Sequence, residues 1–86
     1  MTSSELPVVR IIDDNDVMRE SLVFLLEEED GCIVKAYRDA EEFLDNDDFE
    51  QAGCILLDIR MPTMSGLEVQ QYLINISIDI PIVFLS

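Results

Sequence analysis

Two runs of apolar residues in this chain end on carboxylates. Val8-Val9-Arg10-Ile11-Ile12 leads into Asp13-Asp14, and Cys54-Ile55-Leu56-Leu57 leads into Asp58. Taken singly, each has an ordinary explanation, since Asp caps helices and opens turns. Taken together they suggest chemistry. If the two runs are neighbouring strands about 4.8 Å apart, the three carboxylates converge in one pocket. Like charges so placed push at least one pKa up, and a hard divalent cation relieves the repulsion. Mg²⁺ suits one or two carboxylates together with phosphate oxygens and retained water. A carboxylate beside such an ion can act as a nucleophile and take up a phosphoryl group. That reaction needs positioning and charge stabilisation more than covalent machinery. The residues alone therefore point to Mg²⁺-assisted formation of an aspartyl phosphate.

The elements that must position these acids are readable. Val8 to Ile12 is a β-branched run, expected as strand 1. Asp13-Asp14-Asn15-Asp16 supplies cap formers, and Met18, Leu22, Leu25 and Leu26 recur with helical spacing toward an end near Gly31. Cys32 to Tyr37 reads as strand 2. Asp39 and Glu42 fit a capping box for a short helix to about Asn46. Cys54 to Leu57 is strand 3. Ser65 and Glu68 form a second candidate box, with Val69, Leu73 and Ile76 as the spine of the helix behind it. Ile80 to Leu85 is strand 4, with Pro81 at its start. The order βαβαβαβ with apolar strands implies a parallel sheet covered by helices on both faces. In such sheets ligands bind beyond the carboxyl ends of the strands, where the strand order reverses. That crevice lies between strands 1 and 3 if strand 2 sits on the far side of strand 1.

Composition narrows the class. The 86 residues suit one domain and are 49% apolar, as in a globular protein. The formal net charge is −14, from 19 acids against 5 bases, which disfavours direct binding to nucleic acid or to anionic membrane. Residues 39–50 hold seven acids and no base, and Glu27-Glu28-Glu29-Asp30 is a second block; both read as solvated surface or as docking surface for a basic partner. No apolar run approaches a membrane span, and no signal peptide is visible. A cytoplasmic chain is expected, with Cys32 and Cys54 as reduced thiols. On strands flanking strand 1 they would lie roughly 9–10 Å apart, beyond disulfide reach. The sequence has no His, which removes the usual general base and zinc ligand.

The ordered motifs Ile11-Ile12-Asp13-Asp14-Asn15, then Leu56-Leu57-Asp58-Ile59-Arg60-Met61-Pro62 with Ser65-Gly66, then Ile82-Val83-Phe84-Leu85-Ser86 resemble the receiver domain of two-component response regulators. The stretch Arg38 to Leu44 is most similar to receivers of transcription regulators with a helix-turn-helix output domain. The resemblance implies a flavodoxin-like (CheY-like) α/β fold with strand order 2-1-3-4. It implies a signalling module of a phosphorelay rather than an enzyme, acting at most on its own phosphorylation and dephosphorylation. Asp58 would be the phosphoacceptor, with a histidine kinase as phosphodonor. Asp14, Asp58 and the backbone carbonyl of Arg60 would hold Mg²⁺, with Asp13 acting mainly through water. Ser86 would be the switch hydroxyl, and Pro62 and Gly66 would shape the loop after Asp58. A complete receiver continues with a fourth helix, a fifth strand ending in Lys and a fifth helix. By that measure residues 1–86 are a C-terminally truncated, incomplete receiver, and the only Lys, Lys35, lies in strand 2.

Two rivals stand beside this reading. One is a non-catalytic interaction or dimerisation module built on the same fold, favoured by the missing Lys. The other is a phosphatase using an Asp-x-Asp pair, Asp14 and Asp16, which leaves Asp58 without a role. Right-handed crossovers place the first helix on one face of the sheet and the next two on the other. Strands 3 and 4 are then bare on the first face, with Ile55, Leu57, Ile82, Val83, Phe84 and Leu85 supplying that face or its reverse. Strand 4 offers an open apolar edge, so self-association through strand 4, or marginal folding, is expected.

Overall fold

The protein is described by a computed structural model covering residues 6–60 and 64–85. The elements are β1 (Val8–Ile12), α1 (Asp16–Glu27), β2 (Ile33–Tyr37), α2 (Ala40–Asn46), β3 (Gly53–Asp58), α3 (Gly66–Asn75) and β4 (Ile82–Leu85). The strands form one parallel sheet in the order β2-β1-β3-β4. Consecutive strands β1 and β2 are neighbours, and the chain then crosses back to add β3 on the other side of β1. The order reverses at β1 and β3, which is the crevice the sequence implied.

Register assigns the faces. Ile12, Tyr37, Leu57 and Phe84 lie in one row across the sheet, and Arg10, Lys35, Ile55 and Ile82 lie in a row two residues lower. Both rows point to one side, because strand side chains alternate. On that side Ile12, Tyr37, Ile55 and Leu57 pack with Ala40 and Phe43 of α2 and with Val69 and Leu73 of α3, forming the core. Tyr37, Phe43 and Phe49 stack edge to face, with successive centroids 5.4 Å apart. Each such pair adds about 0.5–1.5 kcal/mol beyond its buried area. The opposite face carries Val9, Ile11, Val34, Ala36, Cys54, Leu56, Val83 and Leu85. There α1 packs over β1 and β2, with Arg19, Val23 and Phe24 beside Ala36. Ile55 and Leu57 thus belong to the covered face, whereas Val83, half exposed, stands on the bare one.

The helix ends show how local chemistry sets boundaries. Asn15 caps α1 by accepting from Met18 N at 3.0 Å. The helix stops at Glu27, short of Gly31, with Glu28 as C-cap. Its expected apolar spine is only partly covered: Leu22 and Leu26 are half-buried, but Met18 and Leu25 are exposed. The reason is that α1 lies over two strands and has no second helix at its flank among the described residues. Asp39 caps α2 by accepting from Glu42 N at 2.8 Å, but Glu42 accepts from Arg38 N rather than from the cap residue, so the box is displaced by one position. Ser65 and Glu68 make a complete reciprocal box at α3. Val69 and Leu73 are buried as expected, while Ile76, the C-cap residue, is exposed. Strand β3 extends one residue further than expected, so that Asp58 is its last residue, and β4 starts at Ile82 instead of Ile80.

Two glycines stand where another part of the chain comes close. At Gly53 a Cβ would fall 1.8 Å from the Val8 carbonyl oxygen, so β3 can start against β1 only with glycine there. At Gly66 a Cβ would fall 2.6 Å from the Phe84 ring. One departure from the apolar core was not foreseen. Arg10, fully buried, donates from Nε to Asp47 Oδ2 at 2.8 Å and from Nη2 to the Gln51 carbonyl at 3.0 Å. Tyr37 donates its hydroxyl to Asp47 Oδ1 at 2.6 Å. One acid of the block read as solvated surface is therefore a core residue. Cys32 and Cys54 are both free thiols, as expected. Among the described residues no helix is long and apolar enough to cross a membrane.

Candidate functional site

Asp13 follows β1 directly, Asp14 comes next, and Asp58 ends β3. Because β1 and β3 are hydrogen-bonded neighbours, with Ile12 opposite Leu57, the carboxylates meet. One oxygen from each of Asp13, Asp14 and Asp58 lies within 4.8 Å of the others. Asp13 is buried, Asp58 half-buried and Asp14 exposed. They floor an open cleft of about 600 Å³ whose walls are Met18 and Leu22 of α1 on one side and Phe84 and Leu85 of β4 on the other.

The turn between β1 and α1 is tightly held. Asp13 N donates to the Tyr37 carbonyl at 3.3 Å. Asp13 Oδ1 accepts from Asn15 N at 2.9 Å, and the Asp13 carbonyl accepts from Arg19 Nη1 at 2.8 Å. Across the cleft, Asp58 Oδ1 accepts from Arg60 N at 2.9 Å, a turn over Ile59 and Arg60, and Arg60 lines the cleft. Burial raises the Asp13 pKa above its ordinary value; the Asn15 N–H opposes this, while Asp58 and Asp14 push it further up. A group of crowded hard oxygen donors with that repulsion fits a divalent cation of the Mg²⁺ type. A soft metal would call for sulfur or imidazole ligands, which this group does not contain.

The site residues named from sequence sort clearly. Asp13, Asp14 and Asp58 are brought together, and Arg60 stands beside them. Ser86 and Pro62 lie outside the described residues, and Gly66 opens α3. Asp16 does not join Asp14: it starts α1, is largely exposed and pairs with Arg19 at 2.5 Å. Lys35 sits opposite Arg10, away from the strand tips. Arg19 and the cleft walls went unnoticed in the sequence. The i, i+3 spacing of Asp16 and Arg19 at a helix start was the available signal for the first. The walls needed the strand order.

The response regulator receiver domain family matches residues 9–86. The response regulator protein TodT of Pseudomonas putida is 38% identical over 84 residues, which is 98% of this chain and 37% of TodT. The transcriptional regulatory protein FixJ of Azorhizobium caulinodans is 49% identical over 61 residues, covering 71% of this chain and 28% of FixJ. The solved structure of the response regulator StyR superposes with a TM-score of 0.85 at 45% identity, over 93% of this chain and 40% of that one. The chain thus spans well under half the length of these relatives. With a family match that begins inside the first strand and runs through the fourth, on a sheet of order 2-1-3-4, this chain belongs to the response regulator receiver domain family.

Proposed function

We propose that this chain is a phosphoacceptor that receives a phosphoryl group on Asp58 from a histidine kinase. The observation carrying this reading is the convergence of Asp13, Asp14 and Asp58 within 4.8 Å at the tips of two adjacent strands. Asp14, Asp58 and the Arg60 carbonyl would hold Mg²⁺, with Asp13 acting through water; when bound, the ion neutralises charge on the phosphoryl oxygens. An Asp58 carboxylate oxygen attacks phosphorus, the P–O bond forms, and the P–N bond to the donor imidazole breaks. The imidazole nitrogen keeps the electron pair and takes a proton. Asp58 is suited to attack because it is the carboxylate that β3 delivers at its end, with Arg60 N orienting one oxygen. The chain acts on no other substrate in this reading. Relatives named as transcriptional regulators support a role in controlling transcription, through other parts of such a protein.

The test is incubation with Mg²⁺ and a small acyl phosphate, followed by intact mass. Wild type gains one phosphoryl group, Asp58→Asn gains none, and Asp16→Asn labels like wild type. Labelling is slow, because the sole Lys, Lys35, is far from the cleft; losing one charge-stabilising donor costs on the order of 2.7–4 kcal/mol of barrier in a comparable case. A second reading, an interaction module, is favoured by the exposure of Val83 and Phe84 on β4. Absence of labelling in wild type would favour it.

A further inference from the structure

We propose that Arg19 is a positioning residue for the carboxylate cluster, fixing the Asp13–Asp14 peptide so that both acids present to one cation. The inference rests on the reading that the cluster takes Mg²⁺.

Arg19 is the fourth residue of α1, at the end of its first turn, with its side chain 15% exposed. Its hydrogen bonds go to the main chain and to Asp16 rather than to the clustered carboxylates: Nη1 donates to the Asp13 main-chain oxygen at 2.8 Å and Nη2 to Asp16 Oδ1. The carbonyl it grips belongs to the same peptide plane as the Asp14 nitrogen. That plane is rigid, so holding its oxygen sets the direction in which the backbone leaves for Asp14. Asp13 itself is held from elsewhere, by the Tyr37 carbonyl and the Asn15 N–H. Asp14 is exposed, and its placement comes through its backbone. A planar guanidinium with several fixed donors can serve both acceptors at once, whereas an ammonium is a compact point charge. Outer groups that orient metal ligands typically change metal affinity by about 10–100-fold when removed.

The sign of the effect separates positioning from charge. Arg19 is a cation close to the cluster, so by Coulomb repulsion alone its removal should tighten Mg²⁺ binding. Loss of positioning weakens it.

The experiment is calorimetric titration of the 86-residue chain with Mg²⁺ alone, for wild type, Arg19→Gln and Arg19→Lys, with urea unfolding of each ion-free protein as a check on the fold. The expected result is affinity about tenfold weaker for Arg19→Gln, with Arg19→Lys between it and wild type because the ammonium retains one bond to the Asp13 oxygen. Unchanged or tighter binding by Arg19→Gln overturns the assignment. Should Arg19→Gln fail to fold, Arg19→Lys decides on the same terms. Wild type without saturable Mg²⁺ binding overturns the metal reading itself, and the role of Arg19 falls with it. Wild-type binding with undiminished binding by the variants overturns only the role of Arg19.

Discussion

Arg10 Nε and Asp47 Oδ2 meet at 2.8 Å, 37 positions apart in the chain, with neither side chain exposed to solvent. Asp47 also accepts from the Tyr37 hydroxyl and from Phe49 N at 3.0 Å. The pair ties the segment after α2 to the middle of β1, from inside the core. Removing one partner of a buried pair strands the other charge and costs about 3–5 kcal/mol. Asp47→Ala is therefore expected to lower unfolding stability by that amount in urea titration. Adding Arg10→Met to it should restore part of the loss, since the stranded charge is gone. A loss below about 1 kcal/mol, the range of exposed pairs, would contradict the buried geometry.

The same pair sets an acid-side pH dependence. Burial opposes ionisation of Asp47, but hydrogen bonds from Tyr37, Arg10 and Phe49 outweigh it and hold the carboxyl below its ordinary value. The unfolded chain then takes up the proton first as pH falls. The contribution of Asp47 is complete above the ordinary carboxylate pKa, about 4, and is lost as pH drops through the lower folded value. Asp13 has the opposite sign: its raised pKa means stability falls as pH rises from the ordinary value through the raised one. Asp47→Asn should flatten the acid limb of the stability curve, and Asp13→Asn should remove the decline that Asp13 causes above about pH 4. Unfolding midpoints across pH 3–7 read both.

Charge crowding at the cleft makes a thermal prediction. Asp58→Asn removes a neighbour that pushes the Asp13 pKa up, so the ion-free variant should melt above wild type. Mg²⁺ should raise the wild-type midpoint, by about 2.7 kcal/mol of stability at a hundred times Kd, and should leave Asp58→Asn nearly unmoved. Melting with chelator and with excess Mg²⁺ compares the two. Equal shifts in both proteins would place the ion elsewhere.

Strand β4 supplies the fourth prediction. Its four residues carry no charge, it pairs only with β3 among the described residues, and Val83 is 50% exposed on the face that α1 leaves bare. Such an edge invites pairing with another chain. Light scattering over a dilution series should show association that strengthens with salt, because salt screens the net charge of −14. Val83→Lys should shift the protein toward monomer. A monomer at every concentration and salt level would remove the edge as an interface.

Much of this was legible before any coordinates. Strand tips ending in Asp are visible as apolar runs that stop on a carboxylate, and the Ser65 to Glu68 box is purely local, so both survive into the structure. What depended on distant partners did not show. Arg10 looks like one basic residue within an apolar strand, and Asp47 like one acid in a charged block; only the tertiary fold makes each explain the other. Met18 and Leu25 carry helical spacing that promises burial, yet spacing says nothing about how many strands lie beneath a helix. The displaced bond of Glu42 turns on one residue of backbone geometry, below the resolution of a capping pattern.

The contact between Gly66 and Phe84 has a mechanical consequence. The ring stands where a side chain on residue 66 would be, and it also forms one wall of the acidic cleft. The opening of α3 and the Phe84 ring therefore lie too close for any side chain to stand between them. Because the ring is also cleft wall, adding a side chain at 66 would displace that wall and reshape the space beside the acids. Glycine at 66 leaves the ring its place, whereas a methyl there would push it aside.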